Sequence, residues 1–357
     1  MFGTHGWPGV TALKIKRKDY STGEISLKVQ NLDDLWHLYN VVETGDLVFA
    51  LTTRREETRA DTLRAERGEK KKMRLGIRVE KTEFHEFADW LRVHGTIEEG
   101  PQDVGAYHTF NISLDDDLSI RKVWTRNQLD ILDRAEKETE KALITLLAID
   151  EEEATVAQLR EYGVKKVASI QSGRSGKYFS VKVEKSNEYF DEIIQIIISG
   201  GETGPLIIIG PGFAKENISA YGRQKKPALF SECQVVSSGQ SGMAAIQEIL
   251  KKGVGSKILE DSRVGLETRL VEQLLAEIGK NGLYAYGTAE VERAVTAGAA
   301  DVLLVTSNAA RTRKFDRVME NAEASGAKVV IVSEHHDAGK KLESLGDIGA
   351  ILRYRIS

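Results

Sequence analysis

The hexapeptide Gly210-Pro211-Gly212-Phe213-Ala214-Lys215 follows four apolar residues, Leu206-Ile207-Ile208-Ile209. It combines backbone N–H groups with one ammonium, the parts of a phosphate cradle. A Walker-type loop also needs Ser or Thr directly after its Gly-Lys, and no such hydroxyl stands after Lys215. Nucleotide binding is therefore not expected here. A dinucleotide fingerprint fails as well, since no Gly-x-Gly-x-x-Gly follows an early strand with an acidic residue about 20 positions on. What remains is an abrupt strand end. Pro211 has no N–H for a ladder, the glycines permit torsions other residues avoid, and Phe213 stands at the sheet edge where α/β folds place their binding loops. The loop either meets a partner or simply turns the chain.

The second candidate is a run of charge. Arg54 to Arg78 holds ten basic residues (Arg54, Arg55, Arg59, Arg64, Arg67, Lys70, Lys71, Lys72, Arg74, Arg78) against five acidic ones (Glu56, Glu57, Asp61, Glu66, Glu69). Its bland reading is a solvated hairpin loop. Its sharper one is a phosphate-contacting arm, which would bind RNA tightly without reading sequence. Other constellations are weaker. Glu334-His335-His336-Asp337 resembles a metal cluster, but adjacent side chains point apart and do not converge on one ion. Asp115-Asp116-Asp117 reads as a solvated turn, and Ser172 to Lys177 as a flexible Gly/Ser hairpin. Ser237, Ser238 and Ser241 have no His/Asp partners at a spacing that supports a serine hydrolase.

These residues must be carried by more than one core, because 357 residues suggest two or three domains. A hydrophobic content of 41% with only 5 Pro indicates globular structure rather than disorder. No run of about 18 apolar residues occurs, and Met1 to Val10 lacks the basic and apolar regions of a signal peptide. A soluble, cytoplasmic protein is expected. Cys233 is the single cysteine, which fits a reducing compartment. With a net charge of −4, any nucleic-acid contact must come from a local patch.

Glu24–Val29 alternates as a half-buried strand. Asn31 or Asp33 then caps a helix through Leu32, Leu35, Trp36, Leu38, Tyr39 and Val42. Strands are expected at Asp46–Thr53, Leu75–Thr82, Trp90–His94 and Thr109–Leu114, which makes a small closed β-domain. Arg126 to Lys141 reads as a charged helical connector. Beyond it, Ala142–Asp150, Val164–Ile170 and Tyr178–Glu184 read as strands, a helix starts at Asn187, a strand covers Leu229–Val236 and a short helix Ala244–Leu250. Ala154 to Glu161 fits strand and helix equally. In the last third a long helix ended by Gly279, and helices near Thr288–Ala297, Thr312–Ser325 and Ala338–Leu345, alternate with strands at Leu283–Tyr286, Val302–Thr306, Val329–Ser333 and Ala350–Tyr354. That rhythm predicts an α/β/α sandwich.

Asn31-Leu-Asp-Asp-Leu-Trp-His-Leu-Tyr-Asn40, with Gly45-Asp46 and Thr53-Arg54-Arg55, resembles the N-terminal domain of the Pelota family of ribosome-rescue and mRNA-surveillance factors, in its archaeal form. Gly210 to Lys215 resembles that family's middle-domain loop, and Tyr286-Gly287, Ala297-Gly298-Ala299 and Leu303-Leu304-Val305 resemble its C-terminal domain. The resemblance implies an Sm-like β-barrel over residues 1–130 and a connector over 131–141. It then implies an α/β RNase H-like middle domain over 142–258, and over 259–357 an α/β/α domain like the kink-turn-binding ribosomal proteins. It also turns Ala154–Glu161 into a strand. The family is paralogous to the class 1 release factors, whose Gly-Gly-Gln tripeptide this chain lacks. Ser238-Gly239-Gln240 differs at its first position, and the loop in the equivalent place, Gln171 to Lys177, is too short. Peptidyl-tRNA hydrolysis is not expected.

The implied function is that of a tRNA mimic in no-go decay. An elongation-factor-like translational GTPase in its GTP form brings it to the A site of a stalled ribosome, and an ABC-type recycling ATPase then splits the subunits. Arg54, Arg55, Lys70, Lys71, Lys72 and Arg74 are the expected RNA contacts in the decoding site and mRNA channel. Pro211, Gly212, Phe213 and Lys215 are the expected GTPase contacts. A monomer with no membrane association and no cofactor needed for binding is implied. The alternative is an endoribonuclease in the N-terminal domain that cuts stalled mRNA with a divalent metal. Its candidate ligands, Asp33, Asp34, Glu43 and Asp46, lie where helix capping explains them equally well.

Overall fold

The computed structural model describes residues 12–55, 70–85, 89–137, 143–173, 183–200, 204–252 and 257–356. They form two compact units, one within Gly9–Lys141 and the other within Ala142–Ser357.

The first unit contains β1 (Lys14–Asp19), β2 (Glu24–Lys28), α1 (Leu32–Val41), β3 (Leu47–Arg55), β4 (Lys70–Phe84), β5 (Trp90–Glu99), β6 (Tyr107–Ser113), β7 (Asp117–Arg121) and α2 (Arg126–Lys137). Its strands make one seven-stranded sheet in the order β1-β2-β7-β3-β4-β5-β6, antiparallel at every pairing. Two of these strands are not among those expected from the sequence. β1 is an edge strand of mostly charged residues, and β7 follows directly on the acidic turn. α1 begins at a capping box, in which the Asn31 side chain accepts from the Asp34 N–H and the Asp34 carboxylate accepts from the Asn31 N–H. The connector expectation needs correction up to Lys137. Ile131, Leu132 and Ala135 give α2 a buried side that packs on α1, so this helix belongs to the first unit.

The second unit continues with β8 (Ile144–Ile149), β9 (Glu153–Arg160), β10 (Gly163–Gln171), α3 (Val183–Ser199), β11 (Leu206–Gly210), α4 (Ala214–Lys225), α5 (Pro227–Phe230), β12 (Gln234–Ser237) and α6 (Gly242–Lys252). The sheet order is β10-β9-β8-β11-β12, with β8, β11 and β12 parallel and the other pairs antiparallel. β9 is covered on both faces from Ala154 to Arg160. Without a solvent face it has no alternation, hence its ambiguity in sequence. Of the strand expected at Tyr178–Glu184, residues 178–182 lie outside the described residues, and Val183 already begins α3. The strand expected at Leu229–Val236 divides. Pro227 opens a helical turn that buries Leu229 and Phe230, and only Gln234 onward joins the sheet.

The chain ends with α7 (Lys257–Asp261), α8 (Arg263–Lys280), β13 (Tyr284–Tyr286), α9 (Thr288–Thr296), β14 (Ala300–Thr306), α10 (Ser307–Arg311), α11 (Asp316–Ala324), β15 (Lys328–Val332), α12 (Asp337–Ser344) and β16 (Ile348–Leu352). The sheet β13-β16-β14-β15 has α9 and α11 on one face and α8 and α12 on the other. The helix expected over Thr312–Ser325 starts only at Asp316, because Arg313 takes a left-handed φ of 55° and Phe315 plugs the core. This layer joins the middle sheet through Leu259 and Val264, which enter its core, and through a polar contact. Ser333 Oγ donates across to the Tyr162 carbonyl at 2.7 Å, and within the layer the fully buried Glu267 holds that segment by accepting from Arg263 Nε at 2.7 Å and the Ser333 N–H at 3.0 Å.

Candidate functional site

β11 lies between two parallel neighbours, so its carboxyl end opens at the edge where α/β sheets bind ligands. Glycine is required at both turns. A Cβ on Gly210 would stand 1.9 Å from the Ile149 carbonyl oxygen, and Gly212 has a φ of 59°. The turn leaves Phe213 77% exposed, while Ala214, one residue on, is buried. Lys215, expected as a surface contact, is only 4% exposed. Its ammonium donates back to the Gly212 carbonyl and lies 3.3 Å from the Glu216 carboxylate, so it clamps the loop from inside. The adjacent strand end is fixed as well. The Ser238 N–H donates to the Gly210 carbonyl at 3.2 Å, and Glu248 accepts from Ser238 Oγ and the Gly239 N–H. Ser238-Gly239-Gln240 is thus a tethered neighbour of the aromatic loop.

The basic hairpin is built on β3 and β4, which pair as far as Arg55 with Lys70. Residues 56–69, including Arg59, Arg64 and Arg67, lie outside the described residues, and the side chains of Arg55 and Lys70 are likewise not described. Lys71 and Lys72 are exposed. Arg54 is ion-paired to Asp103 at 2.7 Å, Arg74 to Glu24 at 3.1 Å, and Arg78 holds Glu98 through two nitrogens. The positive excess of the segment is therefore smaller in the fold than in the sequence, since residues 20 to 50 positions away neutralise part of it.

The metal reading is tested by the carboxylates themselves. Asp34 is buried, which pushes it up to about 7 against the hydrogen bonds it accepts from the Gln30 and Asn31 N–H groups. Glu43 and Asp46 close on the Lys122 ammonium at 2.9 and 2.7 Å, with that side chain only 2% exposed. Gln128 of α2 donates to the second Glu43 oxygen at 2.8 Å. Burial raises the Asp46 carboxyl and Lys122 opposes it. A lysine ammonium already sits where a cation would, so this donor set does not fit a divalent ion. Of the four candidate ligands of the endoribonuclease alternative, Glu43 and Asp46 are thus taken by Lys122 and Asp34 by the cap of α1. Lys122 had no sequence signal beyond being the second cation of an Arg-Lys pair. The tetrapeptide Glu334 to Asp337 also disperses: Glu334 accepts from Ser307 and Asn308, His336 Nε2 meets Glu267 at 2.7 Å, and Asp337 pairs with Lys341. Among the described residues no group of three or more His, Cys, Asp or Glu is placed to hold a metal.

Comparison with known proteins agrees with this arrangement. Residues 11–136 match the family model of the Pelota N-terminal domain, and residues 265–356 that of eRF1 domain 3. The protein pelota homolog of Methanocaldococcus jannaschii is 39% identical over 335 residues, 93% of this chain and 96% of the relative. That of Methanosphaerula palustris is 40% identical over 334 residues, 94% and 96% of the two chains. The crystal structure of the Thermoplasma acidophilum Pelota protein superposes with a TM-score of 0.78 at 26% identity, covering 96% of this chain and all of that one. Saccharomyces cerevisiae Dom34, described as a translation termination-like factor involved in RNA quality control pathways and interacting with Hbs1, shares the fold at 18% identity and a TM-score of 0.53, with 96% and 98% covered. Similar to curated Pelota proteins over nearly its whole length, the chain belongs to the Pelota family.

Proposed function

We infer that this chain is a ribosome-rescue factor, delivered to the A site of a stalled ribosome by a translational GTPase and promoting subunit dissociation without peptide hydrolysis. Membership in the Pelota family supports the reading, and so does the yeast relative that interacts with Hbs1. The observation that carries the docking role is Phe213, an aromatic held 77% exposed on a loop whose flanking groups are fixed. Such a residue is the kind that dominates a protein interface. Pro211 and Gly212 shape that contact, and Lys215 holds it in place. The hairpin, with Lys71 and Lys72 outward, supplies the RNA contact, where charge matters more than sequence. The strand order β10-β9-β8-β11-β12 suits an RNase H-like middle domain, and the seven-stranded antiparallel sheet of the first unit an Sm-like barrel. An ABC-type ATPase would meet the C-terminal layer after the GTPase leaves. Among the described residues no helix is long and apolar enough to cross a membrane, which suits work in the cytoplasm.

Pulldown with the partner GTPase and a GTP analogue tests the docking. Wild type should be retained and Phe213→Ala released. Equal retention of both would remove Phe213 from the interface.

A further inference from the structure

An aromatic ring lies on the outer face of the N-terminal sheet. Ser26, Ser119, Phe49 and Gly76 form one row across β2, β7, β3 and β4, while the next row, Ile25, Ile120, Val48 and Ile77, is wholly buried. Strand alternation therefore turns Phe49 away from the core. It is nonetheless only 3% exposed, because two guanidiniums cover it, Arg74 at 4.5 Å and Arg121 at 4.8 Å from the ring centroid. Gly76 lets the ring lie flat on β4, since a Cβ there would stand 2.5 Å from the Phe49 ring. Glu24 orients both cations, taking Arg74 Nη2 at 3.1 Å and Arg121 Nη2 at 3.0 Å, and Ser119 Oγ takes Arg74 Nη2 at 3.2 Å.

Two separate donors of Arg74 remain. Among the described residues neither its Nε nor its Nη1 has an acceptor, and the side chain is 53% exposed. Lys72 stands two residues along the same strand, exposed and with no ion-pair partner among the described residues. A guanidinium fixed over an aromatic, with donors left for single hydrogen bonds, can take a phosphate oxygen while it keeps Glu24. We propose that Phe49, Arg74 and Arg121 form a built phosphate site at the base of the hairpin, which holds the backbone of an RNA strand that has passed Lys72. Arg74 makes the contact. Phe49, Arg121 and Glu24 position it. The inference rests on the reading of the hairpin as an RNA arm.

Two binding titrations over a range of salt concentrations test it with the full chain, one against purified ribosomes and one against a naked single-stranded RNA oligonucleotide. Arg74→Gln should lower the slope of log K against log salt by about 0.7 to 0.9, the value of one phosphate contact. Arg74→Lys should keep the slope and lose affinity, because the charge stays and the planar group held over Phe49 is gone. Phe49→Leu, which leaves the charges in place, should also lose affinity at an unchanged slope. A loss against both targets identifies any single strand as the ligand, and a loss against ribosomes alone identifies folded ribosomal RNA. If Arg74→Gln keeps the wild-type slope against both while Lys71→Ala and Lys72→Ala lower it, the cluster only packs and the inference is wrong. If the lysine variants also change nothing, the RNA reading of the hairpin itself fails.

Discussion

Phe213 stands on a loop fixed from every side, with Gly210 pressed against Ile149 and Lys215 clamping Gly212, whereas the cations of the hairpin are spread along two strands and partly paired with Asp103, Glu24 and Glu98. The two designs suit different partners. A protein surface is recognised through a few rigid anchors that bury apolar area, so positioning one side chain is worth structural effort. A polyanion is recognised through summed charge, which tolerates motion and divides its energy among many contacts. Loss of one residue should therefore cripple the loop and only weaken the hairpin.

The largest effect should come from a substitution that touches neither surface. Lys122→Met strands Glu43 and Asp46 in a buried site and should cost the N-terminal unit about 3 to 5 kcal/mol. Three of the four tryptophans, Trp36, Trp90 and Trp124, lie in that unit and none occurs in residues 142–357, so unfolding followed by tryptophan fluorescence in a Trp7→Phe background reports on it. A shift under about 1 kcal/mol would show that the lysine does not hold the pair. Phe213→Ala should weaken GTPase binding by about 30-fold, near 2 kcal/mol, with unchanged melting. Lys215→Met keeps the buried stem but removes the clamp, and should cost about tenfold in the same assay although its ammonium faces the loop's own carbonyl. If it matches wild type, the loop needs no internal support. Lys71→Ala or Lys72→Ala alone should cost only about fivefold in ribosome binding near 0.15 M salt and lower the salt slope by about 0.7 to 0.9. A collapse of binding from either one would erase the contrast between distributed and single-residue recognition.

How much of this was legible in the sequence depended on whether a residue's partner was local. The α1 cap was readable because Asn31 and Asp34 lie three apart, and β11 because Leu206 to Ile209 are buried together. β1 and β7 escaped because one is a charged edge and the other owes its place to pairing with β2 and β3. Phe213 was marked by Pro211 and the glycines around it. The inward turn of Lys215 was not, since an ammonium bonded to a carbonyl three residues back leaves no pattern in residue types. Lys122, which decides how Glu43 and Asp46 are read, lies 76 positions from Asp46 in the chain. The pairing of Arg74 with Glu24 spans 50 positions and was equally hidden.

The central claim, that the exposed aromatic loop brings this factor to the ribosome by way of a GTPase, is tested most directly by co-sedimentation with stalled ribosomes. Wild type should enter the ribosome fraction efficiently only when the GTPase and a non-hydrolysable GTP analogue are both present, and Phe213→Ala should fall to the GTPase-free level. Equal sedimentation of wild type and Phe213→Ala, or wild-type loading that ignores the GTPase, would contradict the account.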